Sequence, residues 1–201
     1  MTAAGPGTLG LPERTARELE ALTARLGEAR APVLLGAIRR TGEGEPVVRG
    51  LLRIQEALVR APGAEALATA LVLASESIQR LLQRRPGLLR WVHRSASTAA
   101  AVDVSGLEAA LTRLLDRASG DSPEELQRRL RRFKARQSLR LAARDVWLGL
   151  PMETLGREQT ALAEALLRTA LPRLERPLRV IELSPYHYAP IFERPSTPPS
   201  G

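Results

Sequence analysis

LRRFKARQSLRLAARD (Leu130–Asp145) lies inside the longest run of helical periodicity in this 201-residue chain. Ser122-Pro123-Glu124-Glu125 opens that run as a capping box. The serine oxygen and the glutamate at the third helical position each satisfy a free backbone N–H, and the proline needs no N–H at the first position. Leu126, Leu130, Phe133, Leu141 and Val146 fall near one face, with a gap in the stripe at Gln137, and the run ends near Gly149. Pro151 starts another helix carrying Leu155, Leu162, Leu166 and Ala170, and Pro172 is expected to stop it.

Outward from this pair the pattern stays helical. Ala16, Leu19, Leu22 and Leu26 follow Pro12 at helical spacing. Pro32 to Arg40 reads as a short helix, and Thr41-Gly42-Glu43-Gly44-Glu45-Pro46 as a loop. Val47 to Arg60 reads as one helix, broken by Ala61-Pro62-Gly63, and Ala64 to Leu73 as the next. Ser75 or Ser77 caps a helix with Ile78, Leu81 and Leu82. After Pro86-Gly87, Leu88, Leu89, Trp91 and Val92 form a short apolar turn, and Ser105 to Glu108 makes a second capping box. No segment before residue 177 alternates with strand period.

Aromatic residues make up only 3% of the chain, so leucine, alanine and valine must fill the core, which favours helix packing over a sheet. The expected fold is all-α, a bundle-like array of about seven to nine helices with a Pro-rich, poorly ordered tail. The expected boundaries are a disordered 1–10, a helical domain at 11–171 and the tail at 172–201. Arg179 to Leu183 could form one short strand there. Without cysteine there is neither a disulfide nor a thiolate metal site. No apolar run approaches the roughly 20 residues that span a bilayer, and the N-terminus does not read as a secretory signal. A cytoplasmic location follows as the expectation.

The formal net charge is +8 and the pI about 11.2. Lys134 is the one lysine among 30 basic residues; the other 29 are arginine. Either an Arg-favouring GC-rich genome or selection for bidentate phosphate and carboxylate contacts gives this imbalance. Between Ser122 and Leu148, eight basic residues oppose three acids, and this segment carries +5 of the total. Arg128, Arg132 and Arg136 form one row on a helix, with Arg129 and Arg140 close by. The row is either a solvated, ion-paired face or an interaction face for an acidic partner. No aromatics interleave for base stacking, so nucleic acid is the least favoured partner.

Chemistry-bearing motifs are scarce. His93 and His187 have no nucleophile motif beside them. There is no G-x-x-x-x-G-K-[ST], and no strand leading into G-x-G-x-x-G. Asp103, Asp116, Asp121 and Asp145 form no D-x-D or D-x-E pair that would hold Mg²⁺ on phosphates. Glu43-Gly44-Glu45 sits in a loop with nothing to fix its carboxylates. Trp91 and Trp147 read as packing residues in leucine-rich surroundings. No catalytic, metal or cofactor-binding residue is assigned.

Three stretches carry a family resemblance. Leu130-Arg131-Arg132-Phe133-Lys134 with Leu139-Arg140-Leu141-Ala142-Ala143-Arg144-Asp145 resembles the L-R-R-F-[RK]…L-R-I-A-x-R-D-L segment of the bifunctional glutamine synthetase adenylyltransferase/adenylyl-removing enzymes. Glu153-Thr154 and Arg157 to Ala165 are similar to the E-T-x-x-E-L-S-x-L-A-D-A segment that follows there. Ala74 to Ile78 and Arg84 to Leu89 resemble an upstream G-x-S-x-F-L…R-x-P-x-L-L stretch. The resemblance covers about residues 65–171, and the first, adenylyl-removing half of that family fits best.

The resemblance implies the helical region that precedes a nucleotidyltransferase domain, with Leu130, Arg131, Phe133, Arg144 and Asp145 as structural motif residues. It implies ATP and Mg²⁺ as cofactors of the intact enzyme, and glutamine synthetase and the PII signalling protein as partners. The family's G-x-G-K…S-D-x-D motif is not found after Leu171. The chain is therefore expected to be a shortened or frame-shifted product, inactive alone. The competing expectation is a free-standing Arg-rich helical interaction module.

Overall fold

The computed structural model describes residues 9–96, 102–117 and 122–182. Expectations placed on 1–8 and 183–201, His187 and most of the Pro-rich tail among them, lie outside the described residues. Within them the chain is all-α and has ten helices. They are α1 (Glu13–Leu26), α2 (Ala31–Thr41), α3 (Gly44–Arg53), α4 (Gln55–Val59), α5 (Glu65–Ala74), α6 (Glu76–Arg84), α7 (Gly87–Ala96), α8 (Val104–Asp116), α9 (Pro123–Leu148) and α10 (Met152–Glu182). None is long and apolar enough to cross a membrane.

The apolar residues gather into two clusters. One is built by α1 to α7 around Leu19, Leu34, Ile38, Leu51, Leu58 and Leu71. The other is built by α8 and α10 around Leu107, Leu111, Leu162 and Ala165. Helix α9 belongs to both: Phe133 enters the second, while Leu139 and Ala143 enter the first. Packing follows this division, with α9 lying against α7 and α5 on one side and α10 on the other. The two burials face different ways. Leu126, Leu130 and Leu141 also pack on the second cluster, so α9 carries two stripes side by side, and Gln137 sits within the second of them. Val146 falls off both, and it and Trp147 are exposed rather than packed.

Caps set several boundaries. The Ser122 hydroxyl accepts from the Glu125 N–H at 3.4 Å, and Ser75 accepts from Ser77 at 3.2 Å. Gly149 ends α9 in the left-handed region at φ 58°, which glycine adopts without steric cost. Arg30 performs a similar service at a distance. Its guanidinium donates to the Leu58, Val59 and Ala61 carbonyls at the end of α4 and pairs with the buried Glu65 of α5. The Leu58 and Ala61 carbonyls, which already accept the Ala61 and Ala64 N–H groups, thereby gain a second donor.

Four local expectations change. The loop after α2 is shorter, because α3 already starts at Gly44 and takes Pro46 into its first turn. Val47 to Arg60 is two helices, and the Ile54 N–H bonds back to Gly50 and Leu51 at the break. The apolar turn after Pro86 is the three-turn helix α7. Asp103, not Ser105, caps α8: its carboxylate accepts from the Gly106 N–H at 2.8 Å and from the Ser105 hydroxyl at 2.9 Å. A carboxylate outcompetes a hydroxyl at the positive end of a helix.

Helix α10 also runs on through Pro172 and Pro177 to Glu182, so 179–182 is helix and not strand. Pro172 forfeits one backbone bond and costs roughly 3 kcal/mol in isolation. Arg173 holds the chain together at that point. It donates to the Thr169 carbonyl at 3.0 Å and to Asp116, at the end of α8, at 2.8 Å.

The Asp103 cap gives a pH-dependent expectation. The Gly106 N–H and then the Ser105 hydroxyl hold its carboxyl below the usual value of 3.8. The folded form therefore favours the anion. The stabilisation is present above 3.8 and fades as the pH falls through the lower, folded value. Asp103→Asn should keep a cap but remove this dependence, and Asp103→Ala should lower Tm at neutral pH. Thermal melts of the three proteins between pH 2 and 7 check this.

Candidate functional site

The basic run of α9 does not form one face. Arg128 and Arg129 share Glu125 at 2.9 and 3.5 Å within the first turns. Arg131 leans on Gln127 at 3.5 Å, and Arg132 is exposed. The Arg136 guanidinium lies 4.0 Å from the ring centre of Trp91 on α7, in cation–π geometry. Loss of water around it pushes its pKa down.

Arg140 leaves the proposed interaction face altogether. It is 7% exposed, and Arg144, one turn on, is 1% exposed. Both reach Glu158 of α10, itself only 4% exposed, at 3.0 and 3.1 Å. Burial pushes the Arg140 pKa down, Glu158 pulls it up, and Arg144 pushes it down again. Two guanidinium groups thus meet one carboxylate, and Arg140 Nε has no hydrogen-bond partner. Of the motif residues, Phe133 and Arg144 are buried, Leu130 is half-buried, and Arg131 and Asp145 are exposed.

Two concave regions flank α9. Between α9 and α10 a groove of about 630 Å³ is walled by Leu141, Leu155, Leu162 and Leu166, with Lys134 and Asp145 at its edge. Between α7, α8 and α9 a cleft of about 520 Å³ has Leu88, Trp91, Leu114 and Phe133 in its walls. Arg85, Arg113, Arg117, Arg132 and Arg136 surround this second cleft, and none of its lining residues is acidic. Only Arg132 and Arg136 of these five stood out in the sequence. Arg113 of α8 and Arg117, its C-cap, were not singled out. Glu158 was missed as well. Its signal was a lone acid opposite an Arg-x-x-x-Arg pair bordered by leucine and alanine.

Among the described residues, no hydrogen bond joins a nucleophile to a base in either lining. His93 is half-buried in α7. Among the described residues no group of three His, Asp or Glu side chains could hold a metal ion.

Comparison with known proteins gives a consistent picture. The sequence model of the glutamate-ammonia ligase adenylyltransferase family matches residues 65–188. A bifunctional glutamine synthetase adenylyltransferase/adenylyl-removing enzyme of Thioalkalivibrio sulfidiphilus is 31% identical over 173 residues, covering 77% of this chain and 18% of the relative. The protein of the same name from Nitrosococcus oceani is 33% identical over 150 residues, covering 70% of this chain and 16% of its own. The chain thus spans less than a fifth of the length of these relatives. No solved structure matches it.

Proposed function

From the premise that the chain belongs to the glutamate-ammonia ligase adenylyltransferase family, we propose that it is a non-catalytic helical part of a glutamine synthetase adenylyltransferase/adenylyl-removing enzyme. Its work is then to hold a nucleotidyltransferase portion and present it to glutamine synthetase in the cytoplasm, under control of the PII protein. The observation that carries this reading is the fate of the motif residues. Arg140 and Arg144 are spent on a buried contact with Glu158, which ties α9 to α10. Phe133, Leu139 and Ala143 are spent on the two cores. Residues used in this way build a support.

Incubating the purified chain with glutamine synthetase, Mg²⁺ and labelled ATP tests the proposal. No AMP should be incorporated, and adenylylated glutamine synthetase with phosphate should release none. The chain should nevertheless co-elute with glutamine synthetase. AMP transfer by the chain alone would overturn the non-catalytic role, and failure to co-elute would overturn the assigned partner.

A further inference from the structure

We propose that the cleft between α7, α8 and α9 binds the polyphosphate group of a small ligand, a di- or triphosphate. The proposal rests on the cleft itself and stands apart from the family-based role. Five guanidinium groups, from Arg85, Arg113, Arg117, Arg132 and Arg136, border one concavity with no carboxylate in its lining. Among the described residues none of the five forms an ion pair. An Arg-rich composition does not by itself produce this. Arg25, Arg30, Arg53, Arg168 and Arg173 each reach an acid on another helix.

Five like charges on one cleft repel each other, and a bound polyanion removes that repulsion. A single carboxylate neutralises one of them; a triphosphate neutralises three or more and offers oxygens to several planar forks at once. The cleft also has room and an apolar side. Its volume lies within the usual ~300–1,000 Å³ of ligand sites. Leu88, Leu114 and Phe133 line it, and Trp91 is already held by Arg136. Gln137 lies in the lining with its Oε1 buried and without a hydrogen-bond partner. Turned over, that amide presents its NH₂ instead. Two of the stretches that carried the resemblance meet here. Arg85 and Leu88 come from one, and Arg132 and Phe133 from the other.

The test is a titration of the full chain carrying Trp147→Phe, which leaves Trp91 as the one tryptophan. Inorganic tripolyphosphate should change the Trp91 emission saturably at low salt and bind more weakly as salt rises. Arg113→Gln and Arg132→Gln should each weaken binding by about tenfold, the effect of losing one charge-assisted hydrogen bond. Arg128→Gln, outside the cleft and paired with Glu125, should leave the affinity within about twofold. Circular dichroism confirms that each variant folds.

A nucleoside triphosphate distinguishes the two sources of the group. Equal affinity with tripolyphosphate assigns the site to the phosphate chain alone, and tighter binding assigns it to a nucleotide whose base also makes contact. No saturable response to millimolar tripolyphosphate would overturn the proposal. So would binding undiminished in Arg113→Gln and Arg132→Gln, or an acidic peptide binding in preference to tripolyphosphate.

Discussion

Replacing Glu158 with alanine should cost about 3–5 kcal/mol of folding stability, because it strips the carboxylate from two buried guanidinium groups. Arg140 and Arg144 are 7% and 1% exposed, so water cannot take its place without the helices parting. Glu158→Gln should lose nearly as much, since the amide keeps the shape but not the charge. Urea denaturation reads the effect as a lower midpoint at unchanged slope. The attraction itself is not the main source of the loss. Replacing all three residues together, as Arg140→Leu, Arg144→Met and Glu158→Leu, should recover most of the stability, because no charge is then left stranded. A Glu158→Ala loss below about 1 kcal/mol would show that the pair is solvated in solution.

Gly50→Val should be the next most damaging change, at about 3 kcal/mol. Helix propensity alone argues the other way, since a glycine inside a helix is worse than alanine by up to ~1 kcal/mol. Space decides the sign. A Cβ on Gly50 would stand 2.8 Å from the Cβ of Val72 and 3.2 Å from Gln79 Nε2. The first is fixed to the α5 backbone, and the second is occupied, donating to the Val72 carbonyl at 2.7 Å. Helices α3 and α5 must separate, which opens the first core. Val72→Ala should not rescue the variant, because the obstructing Cβ remains. Rescue by Val72→Ala would mean that the side-chain methyls, not the helix spacing, are limiting.

Much of the architecture was legible from local chemistry. Ser122-Pro123, Ser75, Gly149 and Pro151 mark helix ends because each satisfies or forgoes a specific backbone group, and those groups are adjacent in sequence. The break at Ile54 was not legible. No proline or glycine stands at the junction, and the chain turns there to let α3 and α4 meet different neighbours. Pro172 misled for a related reason. A proline's cost is local, whereas the contacts of α10 with α8 that outweigh it come from residues 57 positions apart, as Arg173 and Asp116 show.

The basic helix was legible as charge but not as geometry. Residue type places arginine at the surface, and nothing within α9 announces that Glu158 will stand opposite Arg140 and Arg144. The cleft was hidden for the same reason. Arg85 lies just before α7, Arg113 on α8 and Arg132 on α9, and they become neighbours only when these helices pack. The family was legible through three stretches, in which Leu89, Phe133, Leu139, Ala143, Leu162 and Ala165 serve the cores.

Because α9 serves both cores, the six-residue step from Phe133 to Leu139 acts as a phase setting. Each residue in a helix advances the chain about 100° and 1.5 Å. One residue gained or lost between these positions would swing one core a quarter-turn and more against the other. Substitution can proceed freely at Lys134 or Ser138, but the spacing itself is fixed. In this protein the length of a helix segment, rather than the identity of its residues, carries the information that joins the two halves.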